Sequence, residues 1–164
     1  APSTARGARR VEAERAWQAL ATAINCPCAI FRLPGIYGPG RSAIDALREG
    51  RARRIDKPGQ VFSRIHVDDL AETLLAALTL RAQGIYNVCD DEPAAQHEVI
   101  AYAARLVGVP IPPLEPFADA EASLSPMARS FYGESKRVRN AKMKRDLGIN
   151  LRYPTFREGL AELS

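Results

Sequence analysis

Apolar residues fall at Val11, Ala13, Ala16, Trp17, Leu20 and Ile24 within RRVEAERAWQALATAI. That spacing is close to 3.6 residues, and the run has neither Pro nor Gly, so it predicts an amphipathic helix. The pattern changes after Asn25 and Pro27. CAIFRL is short and nearly continuously apolar, as expected of a strand buried on both faces of a parallel sheet. A helix followed by such a strand is half of an α/β unit. The next segment, PGIYGPGR, carries Pro34, Gly35, Gly38, Pro39 and Gly40, which argues against regular structure and lets the backbone approach a partner closely. A loop of this kind, at the carboxyl end of a parallel strand, lies where open α/β sheets bind ligands.

Further along, SAIDALREG predicts a short helix opened by Ser42 and closed by Gly50. QVFSRIHV alternates enough for a strand, and Asp68 or Asp69 is placed to cap the apolar helix LAETLLAALTLR. GIYNVCDDEP predicts a second buried strand running into an acidic loop. AQHEVIAYAARLVG predicts a helix stopped by Gly108 and Pro110, and VPIPPLEP is too proline-rich for helix or strand. KRVRNAKMKRDLG and TFREGLAEL predict two more helices, the second capped by Thr155.

Two confident buried strands are too few for a covered parallel sheet, and the first residues show neither an initiating Met nor an apolar signal core. The chain is therefore expected to begin within a longer protein. At 164 residues, with 46% hydrophobic and 26% charged content, it is otherwise an ordinary single globular domain. No apolar run is long enough to span a membrane. Three cysteines without paired metal-ligand spacing read as reduced thiols of a cytoplasmic protein. The net charge of +4 gathers in two runs, five basic residues in Arg48 to Lys57 and six in Lys136 to Arg145. These fit a phosphate-bearing ligand better than nucleic acid, since no aromatic residues interleave with them.

Three ordered segments, FRLPGIYGPG, RIHVDDLAETLLAAL and IYNVCDDEP, resemble the carboxyl-terminal half of extended, here atypical, short-chain dehydrogenase/reductases, the NAD-dependent epimerase/dehydratase family. The likeness runs from about Arg6 to Leu163. It implies an α/β fold, the carboxyl-terminal part of a Rossmann-type NAD(P)-binding domain with a mostly helical substrate lobe. Residues 1–40 and 61–93 are then expected to complete the sheet, and 41–60 and 94–164 to form the lobe. The glycine-rich nucleotide-binding half is expected upstream of Ala1. The resemblance also implies NAD or NADP as cofactor and a small polar or phosphorylated molecule as substrate, with no membrane partner; association as a homo-oligomer is compatible with it.

Carried over residue by residue, the resemblance assigns Pro34, Gly35, Ile36 and Tyr37 to the nicotinamide end of the cofactor. Arg41, Arg64 and His66 become candidate substrate contacts. Sugar-nucleotide epimerases often carry Asn at the position of Gly35, and an arginine where this chain has Phe62, so the substrate is not expected to be held as a diphosphate sugar. The family's catalytic Tyr-x-x-x-Lys opens the helix ahead of the first buried strand. Aligning Glu14 with a glutamate common on that helix puts Arg6 and Arg10 at the tyrosine and lysine positions. An arginine does not exchange protons near neutral pH, so Arg6 cannot serve as acid or base. A second Tyr-x-x-x-Lys, Tyr132 and Lys136 in SFYGESKRV, falls in the expected lobe, where the pair is a candidate substrate contact. Two functions remain open at this point: an NAD(P)-dependent epimerase/dehydratase-like enzyme, or a non-catalytic dinucleotide-binding regulator that lost its proton-transfer pair.

Overall fold

A computed structural model describes residues 4–133, 135 and 137–164. The chain opens with helix α1 (Ala5–Ala23), capped by the Thr4 hydroxyl on the Gly7 N–H, and turns back through residues 24–28 into strand β1 (Ala29–Arg32). β2 (Gly35–Tyr37), α2 (Ala43–Arg48), β3 (Arg54–Asp56), β4 (Arg64–His66) and α3 (Val67–Thr79) follow. Then come β5 (Gly84–Asn87), α4 (Gln96–Leu106), β6 (Leu114–Pro116), α5 (Phe117–Ala120), α6 (Pro126–Tyr132), α7 (Ala141–Leu147) and α8 (Phe156–Glu162).

The strands pair in three parallel couples. β1 lies on β5 with Ala29 opposite Gly84, β2 on β4 with Gly35 opposite Arg64, and β3 on β6 with Arg54 opposite Leu114. Parallel pairing needs long crossovers, and here α2, α3 and α4 lie within those connections, as the alternation of periods predicts. One core joins the sheet to α3 and α7 through Ile65, Leu70, Ala77, Tyr86, Val88, Met143 and Leu147. α7, though late in the chain, therefore packs with the sheet. A second core ties α2, α4 and α8 together through Ile44, Val99, Ala103, Phe156 and Leu160. A third gathers Ile55, Ala120 and Tyr132. No described helix is long and apolar enough to cross a membrane.

The caps at Ser42 and Thr155 form as expected, each as a full capping box, with Asp45 and Glu158 respectively as the returning carboxylate. Four local expectations are corrected. The Pro-Gly segment contains β2, because pairing with β4 holds Gly35 to Tyr37 extended despite their neighbours. The proline-rich segment contains β6, whose last residue, Pro116, needs no N–H at the end of a three-residue strand. α7 starts only at Ala141. Ahead of it the Val138 N–H donates to the Ser63 hydroxyl at 3.3 Å, and the Asn140 amide donates to the Cys89 carbonyl at 2.8 Å, which holds that stretch out of a helix. Finally, α3 is capped by neither aspartate. The His66 Nδ1 accepts the Asp68 N–H at 3.2 Å, and the Asp69 carboxylate is used elsewhere.

Of the cysteines, Cys89 is buried, Cys28 half-buried and Cys26 exposed, all as free thiols. Burial pushes the Cys89 thiol up to about 12, so it is inert at physiological pH.

Candidate functional site

The carboxyl end of β1 leads through Leu33 and Pro34 into the start of β2 at Gly35 and Ile36. Gly35 is informative because nothing inside the protein requires a glycine there. It has no positive φ, and a Cβ built on it would meet only the Ser63 carbonyl oxygen, at 3.8 Å, an ordinary contact. The exposed main chain at Gly35 therefore leaves a bare surface facing outward. Two other glycines differ. A Cβ on Gly38 would stand 2.6 Å from the Val67 Cγ1, and one on Gly159 2.1 Å from the Tyr37 Oη, so internal packing explains both. Tyr37 turns away from the surface. Its ring is buried edge-on to His66, with centroids 5.2 Å apart, and its hydroxyl reaches the Thr155 carbonyl at 3.5 Å beside Gly159. Burial, with Asp90 and Asp69 nearby, raises the Tyr37 pKa strongly.

Behind this edge lies a buried polar group. Arg64 donates from Nη1 to the carbonyls of Phe62 (2.9 Å) and Ala94 (3.1 Å), and from Nη2 to the Gln96 side chain at 3.4 Å. Arg64 is buried, and these bonds hold the loop at Ala94. His66 is 1% exposed, with Nδ1 used as the α3 cap and its ring packed on Tyr153 at 4.1 Å. Burial holds its pKa below the usual 6.5. With Nδ1 accepting, the neutral ring carries its proton on Nε2, a buried atom without a hydrogen-bond partner among the described residues.

Asp90, at the end of the β5 segment, is also 1% exposed, and neither carboxylate oxygen closes a hydrogen bond of normal geometry among the described residues. Burial lifts its pKa to about 7, against the pull of the Arg64 guanidinium and of the main-chain N–H groups of Glu92 and Arg64. Sequence reading passed over Asp90. The only trace was its place in the acidic DDEP turn, and nothing there distinguishes it from the exposed Asp91, which pairs with Lys144 at 2.6 Å.

Arg41 is exposed, in a turn pinned by paired main-chain bonds with Gly38 (3.0 and 3.3 Å), and forms no ion pair among the described residues. Tyr132 is buried against Phe62 and Phe117, with ring centroids 5.6 and 5.0 Å away. It is also the last residue of α6. Lys136 itself lies outside the described residues.

α1 carries Arg6 and Arg10, both exposed, and Glu14. The Glu14 carboxylate accepts two hydrogen bonds from the Arg32 guanidinium, at 2.9 and 2.6 Å, joining α1 to the last residue of β1. Sequence analysis singled out Glu14 but gave no sign of this pairing across 18 positions.

No family model matches the chain. Over 137 residues it is 31% identical to 3-diazoavenalumate denitrifying reductase from a Streptomyces species, a match covering 80% of this chain and 45% of that protein. A functionally unknown conserved protein from Silicibacter pomeroyi superposes with a TM-score of 0.88 at 54% identity, over 99% of this chain and 56% of that one. The dTDP-glucose 4,6-dehydratase of Bacillus anthracis, solved with NAD, superposes with a TM-score of 0.73 at 19% identity, over 99% of this chain and 51% of that one. The chain thus spans about half the length of the relatives it matches. In fold, the chain is similar to solved dehydratases and epimerases of this kind.

Proposed function

We propose that this chain is the substrate-lobe half of an NAD(P)-dependent oxidoreductase that reduces a small polar or phosphorylated molecule. The observation that carries the reading is Gly35, a glycine whose missing side chain serves neither backbone conformation nor internal packing. Its bare, outward main chain fits a flat nicotinamide ring, with Pro34 and Ile36 alongside and Tyr37 acting from behind as the buried support. When bound, the dinucleotide would supply the hydride. Arg41, exposed and without an ion pair among the described residues, follows that loop and is the substrate contact we assign. A reduction is favoured over sugar epimerisation by the 31% identity to a reductase.

A second reading, a dinucleotide-binding regulator, is supported by Arg6 and Arg10, which leave α1 without a proton-transfer pair. Titrating the full-length protein with NADH and NADPH, followed by intrinsic or cofactor fluorescence, separates the cases. Binding near the micromolar range is expected, and Gly35→Val should weaken it about tenfold, roughly 1.4 kcal/mol, without lowering the thermal midpoint. No binding, or binding indifferent to Gly35→Val, would sink the cofactor assignment. Binding without turnover across aldehydes, ketones and diazo compounds would favour the regulator.

A further inference from the structure

Phe62 and Ala94 form a reciprocal bridge between the approach to β4 and the approach to α4, each N–H donating to the other's carbonyl at 3.1 Å. Arg64 closes that bridge. Its Nη1 donates to both carbonyls, at 2.9 and 3.1 Å, and its Nη2 to the Gln96 side chain at the start of α4. The bridge stands behind the candidate cofactor loop, because Arg64 lies opposite Gly35 across β2 and β4.

The same guanidinium has a carboxylate beside it that it does not take. Asp90 donates its main-chain N–H to the Arg64 carbonyl at 2.7 Å, which fixes the two residues next to each other. Both are buried, 1% and 7% exposed, yet the Asp90 carboxylate closes no hydrogen bond of normal geometry among the described residues. A buried acid left unpaired while its cationic neighbour is spent on neutral carbonyls is an arrangement suited to the protonated acid. Once ionised, Asp90 competes with those carbonyls for the same donors, because a charge-assisted hydrogen bond is stronger than one to a neutral acceptor. Both groups lie inside the chain, so this competition does not depend on what covers its surface.

We propose that Asp90 and Arg64 form a proton-operated latch on the Phe62–Ala94 bridge. With Asp90 protonated, Arg64 holds both carbonyls and the bridge is closed. When Asp90 releases its proton to solvent, the carboxylate draws the guanidinium off the carbonyls and the bridge loosens. Arg64 stays charged in both states, and no other group is transferred. The latch does not rest on the function proposed above.

The surrounding charged groups are already engaged. Asp91 and Glu92, next in the turn, pair with Lys144 of α7 at 2.6 Å and with Arg157 of α8 at 2.9 Å. Glu158 of α8 closes its own capping box, Asp69 of α3 accepts the N–H groups of Arg152 and Tyr153, and Glu98 of α4 is exposed. Tyr37 of β2 and Cys89 keep their protons, because burial and the nearby Asp90 push both pKa values up. Burial lifts Asp90 itself to about 7, which sets the change of state near neutrality.

The test is amide hydrogen exchange on the full-length protein without cofactor, at about pH 6 and about pH 8, either side of the Asp90 pKa, with rates corrected for intrinsic exchange. The carbon-13 resonance of the Asp90 carboxyl group is followed alongside and should titrate near 7. Protection of the Phe62 and Ala94 N–H groups should fall about tenfold between the two conditions, beyond any fall at the buried amides of α3, which report global stability. Asp90→Asn keeps the shape but cannot ionise, so it should retain the low-pH protection at both values. A carboxyl resonance that titrates below about pH 5 overturns the latch. So does protection that stays level in the wild type or falls only as far as in α3, and so does an equal fall in Asp90→Asn. The two wild-type measurements decide the matter even if the variant does not fold.

Discussion

Tyr153 donates its main-chain N–H to the carboxylate of Asp69 at 3.0 Å, across 84 residues of chain. The preceding N–H, from Arg152, reaches the other carboxylate oxygen at 2.7 Å. Asp69 lies in the first turn of α3, directly after the strand that carries His66, and Tyr153 covers the His66 ring. One buried carboxylate thus fastens the strap leading to α8 over the edge of the candidate site. Asp69→Ala would leave two N–H groups without their acceptor, and roughly 3 kcal/mol of stability should be lost. Urea unfolding checks this; a loss below about 1 kcal/mol would mean that water replaces the carboxylate.

Asp90 and His66 should give stability opposite pH dependences. The folded-state pKa of Asp90 is raised from 3.8 to about 7, so between those values the unfolded chain ionises while the folded one keeps its proton. Asp90 therefore costs stability progressively as pH rises through that window, by at most about 1.4 kcal/mol per pH unit. The His66 pKa is lowered from 6.5, so below that value the unfolded chain takes up a proton that the folded one refuses, and stability falls on acidification. Asp90→Asn should remove the first effect and expose the second. Relative to wild type, the variant should gain stability with rising pH between 4 and 7, measured as the difference in denaturant midpoints; a constant difference would refute the shift.

The glycines should separate by role. Gly159→Ala puts a Cβ against the Tyr37 hydroxyl and should cost roughly 1–3 kcal/mol by overpacking. Gly35→Ala meets only an ordinary contact and should leave the melting temperature unchanged while weakening dinucleotide binding in the full-length protein. Equal destabilisation by both would show that Gly35 too is there for packing.

Glu14→Gln should change global stability little, under about 1 kcal/mol, because its pair with Arg32 is partly solvent-exposed. α1 buries none of its residues, however, so its docking depends on few contacts. Amide exchange in α1 should quicken in this variant. Unchanged exchange protection would show that other contacts hold the helix.

Much of the molecule was legible because its cues are local. A 3.6-residue period needs only neighbouring side chains, so α1, α3 and α4 could be read directly, and the hydroxyls of Ser42 and Thr155 marked the starts of α2 and α8. The apolar runs at Ile30 and Ile85 indicated β1 and β5, and three ordered segments pointed to the fold. What the tertiary structure decided involves partners far apart in sequence. Arg64 and His66 have the chemistry of ligand contacts, but burial commits one to the carbonyls at Phe62 and Ala94 and the other to capping α3. Tyr132 ends α6, and its ring is buried against Phe62 and Phe117. β6 forms among prolines because β3 lies beside it, and Asp69 serves Tyr153 rather than its own helix. Sequence determined which residue types were present and the local periods they follow; only folding fixed which of them are buried, because desolvation and hydrogen-bond pairing depend on neighbours that the order of residues does not name.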